Sequence, residues 1–189
     1  MPRAVRIAAQ SPEEWSEAAR VELEALPPGA SGRPVRLPSV IAHHPTFLGP
    51  YLVWARTIAG SGVLPPRENA LLALRTALRC ASEFEWGVHA MTAIARAGLS
   101  ADEVADVARG PAAPGWSERE AALLRAADEL HEHSAIGSET WAALARELDA
   151  AALLEVVLVV GHYTMLSMLA NSAGVPPDAR WPALGRPPA

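Results

Sequence analysis

"LPPRENALLALRTALRCASEFEWGVHAMTAIARAGLS", residues 64–100, decides the fold of this chain. Residues 65–68 predict a helix start, with proline at the first helical positions and an early acid. The apolar residues that follow repeat at helical spacing as far as about Arg79. Ser82 then predicts a second helix start, and Gly98 predicts its end. Two consecutive helices are therefore expected, with a short break around Cys80.

The same signals continue along the rest of the chain. Alanine and leucine dominate, and runs of β-branched or aromatic residues are scarce. A first helix is expected from Ser11-Pro12-Glu13-Glu14 to about Ala25. Further helices are expected over about 47–58, 100–109, 117–133, 138–147 and 150–172. The sequence thus predicts an all-α protein, a bundle of about eight helices with no sheet.

Proline and glycine divide the chain into three parts. Residues 1–38 are expected to form an N-terminal helical arm that ends in a Pro/Gly-rich linker over 27–38. Residues 39–175 are expected to form the helical domain. Residues 176–189 are expected to be an extended, Pro-rich tail.

Composition excludes several classes of function. The net charge of −5 and the absence of a basic cluster argue against a nucleic-acid partner. A single cysteine, Cys80, excludes an internal disulfide, a zinc site built on several cysteines and a dithiol redox cycle within the chain. Its ordinary role is that of a small buried residue.

The longest apolar run, Leu153–Ala170, contains Glu155 and His162, so we expect a buried core helix and no membrane partner. Residues 1–25 are mixed and charged, unlike a signal peptide, and a cytoplasmic location is expected.

The stretch SEFEWGVH, residues 82–89, has two interpretations. Ser82 and Glu85 match the S-x-x-E capping box, which stabilises a helix start and supplies no chemistry. At about 100° per residue, however, Glu85 and His89 also lie on one helix face, with Ser82 near it and Trp86 beside it. A carboxylate that orients an imidazole is what a general acid/base requires. As a core residue, His89 would only bond a neighbour.

Other polar residues are weaker candidates. His162 and Tyr163 lie in the apolar C-terminal helix, and a polar side chain there needs a partner, a pocket or a subunit interface. His131 and His133 point about 160° apart on a helix, so they do not form a metal site, and no metal is expected. Arg75 could neutralise a substrate carboxylate.

Residues 64–100 resemble the core of the carboxymuconolactone decarboxylase family, which includes the alkylhydroperoxidase D-like proteins. The family pattern is approximately Pro-Arg-x-x-Glu-Leu, a helix, then S-E-Y-E-W and x-x-His. The segments "HHPTFLGPYLVWA" and "LLEVVLVVGHYTMLSMLANSAGVP" extend the resemblance to about residues 44–175. The resemblance implies an alkylhydroperoxidase D-like helical bundle that assembles as a homo-oligomer (a dimer, trimer or hexamer).

The chain departs from the peroxidase branch of this family. That branch has C-x-x-C followed four residues later by His, which places its cysteines at Ser82 and Glu85. Its upstream glutamate corresponds to Ala70. Only His89 remains, whereas the decarboxylases carry Glu and His at the positions of Glu85 and His89.

The leading hypothesis is therefore a cofactor-independent enzyme that acts on a small carbonyl or lactone compound, by decarboxylation or proton transfer. His89 and Glu85 would be catalytic, and Ser82, Trp86, His162 and Tyr163 would bind the small-molecule substrate. The alternatives are a peroxidase that uses Cys80 with an external thiol, and a non-catalytic oligomeric helical protein.

Overall fold

The computed structural model describes residues 4–26 and 36–186. Within these ranges it contains helices and no strand, which confirms the predicted all-α fold. The helices are α1 Glu17–Glu24, α2 Arg36–Ile41, α3 Pro45–Gly60, α4 Pro66–Arg79, α5 Glu83–Ala97, α6 Ala101–Arg109, α7 Glu118–His133, α8 Ser138–Leu144 and α9 Ala150–Ala173.

Helix α4 lies at the centre of the bundle and packs against α5, α7 and α9. Its apolar side chains are buried on more than one side, because Leu72 joins the core with α7 and α9 while Leu71 and Leu74 join the core with α5 and α6. A smaller core holds α1 against α3 through Trp15, Leu23 and other side chains. This arrangement brings α3, α5 and α9 together on one side of α4.

The N-terminal part differs from the sequence prediction in two places. Residues 11–14 form a turn in which the Ser11 N–H donates to the Glu14 carboxylate at 2.8 Å. The helix itself begins at Glu17, after Ser16 accepts a hydrogen bond from the Ala19 N–H. The end of the predicted linker is also helical, since α2 begins at Arg36, and residues 27–35 lie outside the described ranges.

Ion pairs fix α4 against α7. The Arg75 guanidinium donates to both carboxylate oxygens of Asp128 at 2.7 and 2.8 Å, and its side chain is only 9% exposed. Its remaining donors reach the carbonyl oxygens of Val107 and Ala108, at the end of α6. Arg75 is therefore fully engaged, and the structure does not support its predicted use as a free cation for a substrate carboxylate.

Helix α9 is apolar around its whole circumference. One side is buried in the core, and the other exposes a stripe of large apolar side chains, which we call the α9 stripe: Leu154, Val157, Leu158, Met165, Met168 and Leu169. By length and composition α9 could cross a membrane, and it is the one such helix among the described residues; half of its most apolar window is buried in the protein. That burial supports the predicted core helix.

The C-terminal segment turns back onto α5. The Trp86 indole N–H donates to the Arg186 carbonyl oxygen at 2.9 Å. Trp181 packs edge-on against Phe84, and it lies so close to Gly87 that a Cβ there would come within 2.7 Å of the indole. The tail is thus folded against the bundle over the described residues 176–186, whereas the sequence predicted an extended tail.

Candidate active site

The first turn of α5 contains only half of the predicted capping box. The Ser82 hydroxyl accepts from the Glu85 N–H at 3.4 Å, as expected. The Ser82 N–H, however, donates to the Ala77 carbonyl oxygen at 2.9 Å, so that amide already has an acceptor. Both α6 and α7, by contrast, have complete boxes. The Glu85 side chain is therefore free to take another partner.

That partner is His89, one turn further along α5. The Glu85 Oε2 lies 3.4 Å from the His89 Nε2, and the two side chains are 3% and 19% exposed. The i,i+4 spacing on one helix produces this geometry without help from a loop. A buried carboxylate beside a partly exposed imidazole can fix the orientation of the ring.

Helix α9 supplies a tyrosine and a second imidazole. The Tyr163 ring lies edge-on to the His89 ring, with centroids 4.5 Å apart. On its other side Tyr163 contacts His162, at 5.1 Å between centroids. The two histidines predicted from different parts of the sequence thus share one tyrosine neighbour.

Helix α3 adds two aromatic residues that sequence reasoning missed. Tyr51 is nearly parallel to the His162 ring with centroids 6.5 Å apart, and Trp54 meets the same ring edge-on at 6.4 Å. The sequence offered one signal for Tyr51: it contains two tyrosines, Tyr51 and Tyr163, and both lie at this site. We call Glu85, His89, Tyr51, Trp54, His162 and Tyr163 the α3–α5–α9 cluster.

Burial sets the electrostatics of this cluster. It lowers the pKa of His162 from 6.5 to about 4, with repulsion from His89 as a smaller cause. Burial, together with the charge of Glu85, raises the pKa of Tyr163 and Tyr51 well above that of a free tyrosine. Near neutral pH the cluster therefore contains an uncharged imidazole and two protonated phenols.

Trp86 lies outside the cluster. Its side chain is buried with Leu71, Leu74 and neighbouring residues in the core between α4, α5 and α6. With its N–H bound to the tail, Trp86 packs the back of α5, and we correct its expected position beside the substrate. Ser82 is buried as the α5 cap and acts through the helix start.

Glu155 and Cys80 are also engaged elsewhere. Glu155 accepts hydrogen bonds from the backbone N–H groups of Val63 and Leu64, just before α4. The Cys80 Sγ lies 3.7 Å from the His131 Nδ1, and burial raises the pKa of its thiol. A raised pKa reduces the thiolate fraction on which peroxide chemistry depends.

Two cavities lie on either side of Asn171, at the end of α9. One, of about 300 Å³, is lined by Ala4, Arg6 and Ser172 as well as Asn171. The other, of about 240 Å³, lies between the α5 start and the returning tail. Neither cavity is lined by His89; within the cluster, His89 and Trp54 have part of their surface exposed, at 19% for the His89 side chain and 37% for Trp54.

Comparison with known proteins supports the fold and the family. The model of the carboxymuconolactone decarboxylase family matches residues 51–129, which span Tyr51 to beyond the Glu85–His89 pair. No curated protein matches the sequence.

Three solved structures share the fold at low sequence identity. An uncharacterized peroxidase-related protein with an alkylhydroperoxidase AhpD core, from Ralstonia eutropha JMP134, has a TM-score of 0.79 and 16% identity over 99% of each chain. A putative antioxidant defence protein AhpD from Agrobacterium tumefaciens has a TM-score of 0.68 and 16% identity over 74% of this chain and 95% of its own. A variant of the debrominase Bmp8, in complex with 2,3,4-tribromopyrrole, has a TM-score of 0.75 and 12% identity over 95% of each chain.

The match confirms the resemblance inferred from the residues. With one cysteine in its sequence, the chain has no C-x-x-C pair. Residues 51–129 match the model of the carboxymuconolactone decarboxylase family, and the protein shares its helical fold with a structure that has an alkylhydroperoxidase AhpD core.

Proposed function

We propose that the protein is a cofactor-independent acid/base enzyme that acts on a small carbonyl or lactone compound. The observation that carries the proposal is the Glu85–His89 pair, with its 3.4 Å separation between carboxylate and imidazole beside Tyr163. The Glu85 carboxyl is released from capping and placed where it can orient a general base.

In the proposed reaction, Glu85 accepts the N–H at Nε2 of His89, which leaves the lone pair on Nδ1 of the same ring. That lone pair takes a proton from the carbon next to the substrate carbonyl, and the electron pair of the broken C–H bond moves into an enolate. Return of the proton to carbon completes an isomerisation or exchange. In a decarboxylation the C–C bond breaks instead, its electron pair moves into the enolate and CO2 leaves. His89, which has first taken a proton from solvent, then gives that proton to the carbon.

The rest of the cluster forms the proposed substrate-binding wall. Tyr163 faces His89 from α9 and has His162 beside it, and Tyr51 and Trp54 extend this wall from α3. Aromatic walls of this kind suit a compact, largely apolar ring compound with few polar groups. Ser82 contributes by fixing the α5 start, and Trp86 by packing behind it.

The test is proton exchange at carbon, which needs no knowledge of the natural product. Small lactones and cyclic ketones are incubated in D2O with the protein, and loss of the α-proton signal is followed by NMR. We expect exchange by the wild type and a drop of about 10²–10⁴-fold in His89→Ala. His133→Ala, at an exposed position on α7, is the control that should exchange normally.

Full exchange by His89→Ala would show that His89 is not the base. No exchange by the wild type with any compound would favour the non-catalytic alternative.

Cys80 supports a second candidate, a peroxidase that uses an external thiol. The observation in its favour is the His131 Nδ1 3.7 Å from the sulfur, and the raised thiol pKa opposes it. Peroxide consumption with an added thiol, compared in wild type and Cys80→Ser, decides the matter. Equal rates would remove this candidate.

We further propose that the protein is a homo-oligomer in the cytoplasm. The α9 stripe supports the homo-oligomer, because an apolar surface of this kind is usually covered by a partner surface. The burial of half of the most apolar window of α9 within the protein supports a location outside the membrane.

A further inference from the structure

The His162 Nδ1 is a buried polar atom without a hydrogen-bond partner. The residue is 5% exposed and lies in the apolar helix α9. Buried nitrogen atoms are almost always paired, and the exceptions often mark a functional site. Because its ring contacts the same Tyr163 that contacts His89, the unpaired atom belongs to the α3–α5–α9 cluster.

The proposed reaction needs a donor at this place. Removal of a proton beside a carbonyl builds negative charge on the carbonyl oxygen, next to the Glu85 carboxylate. The sequence contains no lysine, and the buried Arg75 is bound to Asp128. The aromatic side chains beside the His162 ring are Tyr51, Trp54 and Tyr163. The donors that these residues and His162 offer are neutral N–H and O–H groups.

We propose that His162 binds the substrate through a hydrogen bond from Nδ1–H to its carbonyl oxygen, and that this bond strengthens as the oxygen becomes an enolate. The inference rests on the proposed function and names the atom that recognises its substrate class. An acceptor Nδ1 would repel the developing oxyanion, so the tautomer with the proton on Nδ1 is the productive one.

The surroundings suit a fixed, neutral donor. Contacts from α3 and α9 hold the ring, so its N–H need not reorient when charge develops. The lowered pKa of His162 keeps the ring uncharged at neutral pH. An uncharged donor polarises the carbonyl without giving up its own proton.

The experiment measures binding of 4-nitrophenolate, a planar oxyanion that stands for the enolate, at a pH where the phenol is ionised. Three variants separate the ring nitrogens. His162→Asn keeps an N–H near the position of Nδ1, His162→Gln places one farther out, near Nε2, and His162→Leu has none. We expect His162→Leu and His162→Gln to weaken binding about 10- to 100-fold, since the lost bond has a charged acceptor. His162→Asn should stay within about threefold of the wild type.

Thermal unfolding of each variant shows whether it is folded, and His133→Asn is the control that should bind normally. The inference is overturned if the wild type does not bind the probe, if His162→Leu binds like the wild type, or if His162→Gln keeps wild-type binding and His162→Asn does not.

The same samples distinguish this inference from the proposed function. If probe binding depends on the Nδ1–H of His162 but no carbon-proton exchange occurs, the proposed role of His162 is supported and the acid/base enzyme is rejected. If exchange depends on His89 but the His162 substitutions leave probe binding unchanged, only the proposed role of His162 is rejected.

Discussion

At Glu85, two local arrangements compete for one carboxylate. The S-x-x-E pattern favours a bond back to the Ser82 amide, and the spacing to His89 favours the imidazole. The tight connection after α4 decides between them, because Ala77 already accepts from the Ser82 N–H. Ala81, between the two helices, has a φ of 49° and turns the chain into that bond.

The Glu85→Gln substitution separates structure from chemistry. Gln keeps the shape of the side chain and removes the charge, so we expect the thermal midpoint to stay the same or rise, because a buried charge is costly. Exchange activity should fall about 10²-fold or more. Glu83→Gln, an exposed acid in the same turn, is the matched control. If Glu85→Gln lowered the thermal midpoint and left the exchange activity unchanged, the role of Glu85 would be structural only.

The His162 imidazole makes stability depend on pH in a defined window. Its folded pKa is about 4 against 6.5 when free, so below pH 6.5 the unfolded chain takes up the proton first. The free energy of unfolding should therefore fall between pH 6.5 and 4, by up to about 3 kcal/mol. His162→Leu should flatten this part of the profile, measured by urea unfolding, and His133→Asn should not.

Carboxylates in ion pairs change the free energy of unfolding at lower pH than His162 does. Arg67 holds the pKa of Glu103 at about 2, so the stability contributed by that pair is lost only as the pH falls below 4.5. An unchanged slope between pH 6.5 and 4.5 in His162→Leu would mean that the imidazole is not the titrating group.

Residue spacing predicted Glu85 with His89, since a helix brings i and i+4 together wherever it forms. It could not predict Tyr51 or Trp54, because their contacts with His162 depend on how α3 packs against α9. Trp86 shows the opposite error. It follows Glu85 directly, yet one residue of helix rotation turns its side chain into the core between α4 and α6.

At the scale of elements, local signals predicted α3 to α9 well. Side-chain caps mark the starts of α5, α6, α7 and α9, and prolines mark the starts of α3 and α4. Glycines mark the ends of α5, α6 and α9. Pro12 followed by Glu13 and Glu14 also resembles a helix start, but α1 begins later, at Glu17, after the Ser16 cap. The start of α2 was hidden because Pro38 suggests a linker. Pro38 lies in the first turn of that helix, where the missing N–H costs nothing.

The Arg75–Asp128 pair joins α4 and α7 through two hydrogen bonds, and its side chains are 9% and 20% exposed. We expect Asp128→Asn to lower the free energy of unfolding by about 3 kcal/mol, because it leaves a largely buried guanidinium without its counter-charge. Asp106→Asn, which removes the exposed pair with Arg109, should cost less than about 0.5 kcal/mol. Chemical denaturation measures both. If Asp128→Asn and Asp106→Asn both lowered the free energy of unfolding by the same small amount, the Arg75–Asp128 pair would not determine how α4 packs against α7.

At the scale of the whole molecule, the α9 stripe is the main surface that the monomer leaves apolar. Gly161 lies within the exposed side of α9, and a Cβ there would meet nothing within 4 Å in the monomer. A small residue amid large apolar ones allows another helix to approach closely. Both features are consistent with the proposed homo-oligomer.

Met168→Glu tests this surface directly. A charge in the middle of a buried interface is costly, so we expect a lower molecular mass by light scattering after gel filtration. Val21→Glu, an equally exposed apolar position on α1, should keep the wild-type mass. A monomeric wild type, or a mass that Met168→Glu leaves unchanged, would contradict assembly through α9.

The C-terminal tail offers a protease an exposed arginine outside the α3–α5–α9 cluster. The Arg180 side chain is 65% exposed, and it immediately precedes the tryptophan that packs on Gly87. Cleavage there by a trypsin-like protease would detach Trp181 and the Arg186 carbonyl, which support the back of α5. A preparation shortened by nine residues would keep every residue of the cluster while losing the contacts that Phe84, Trp86 and Gly87 make with the tail.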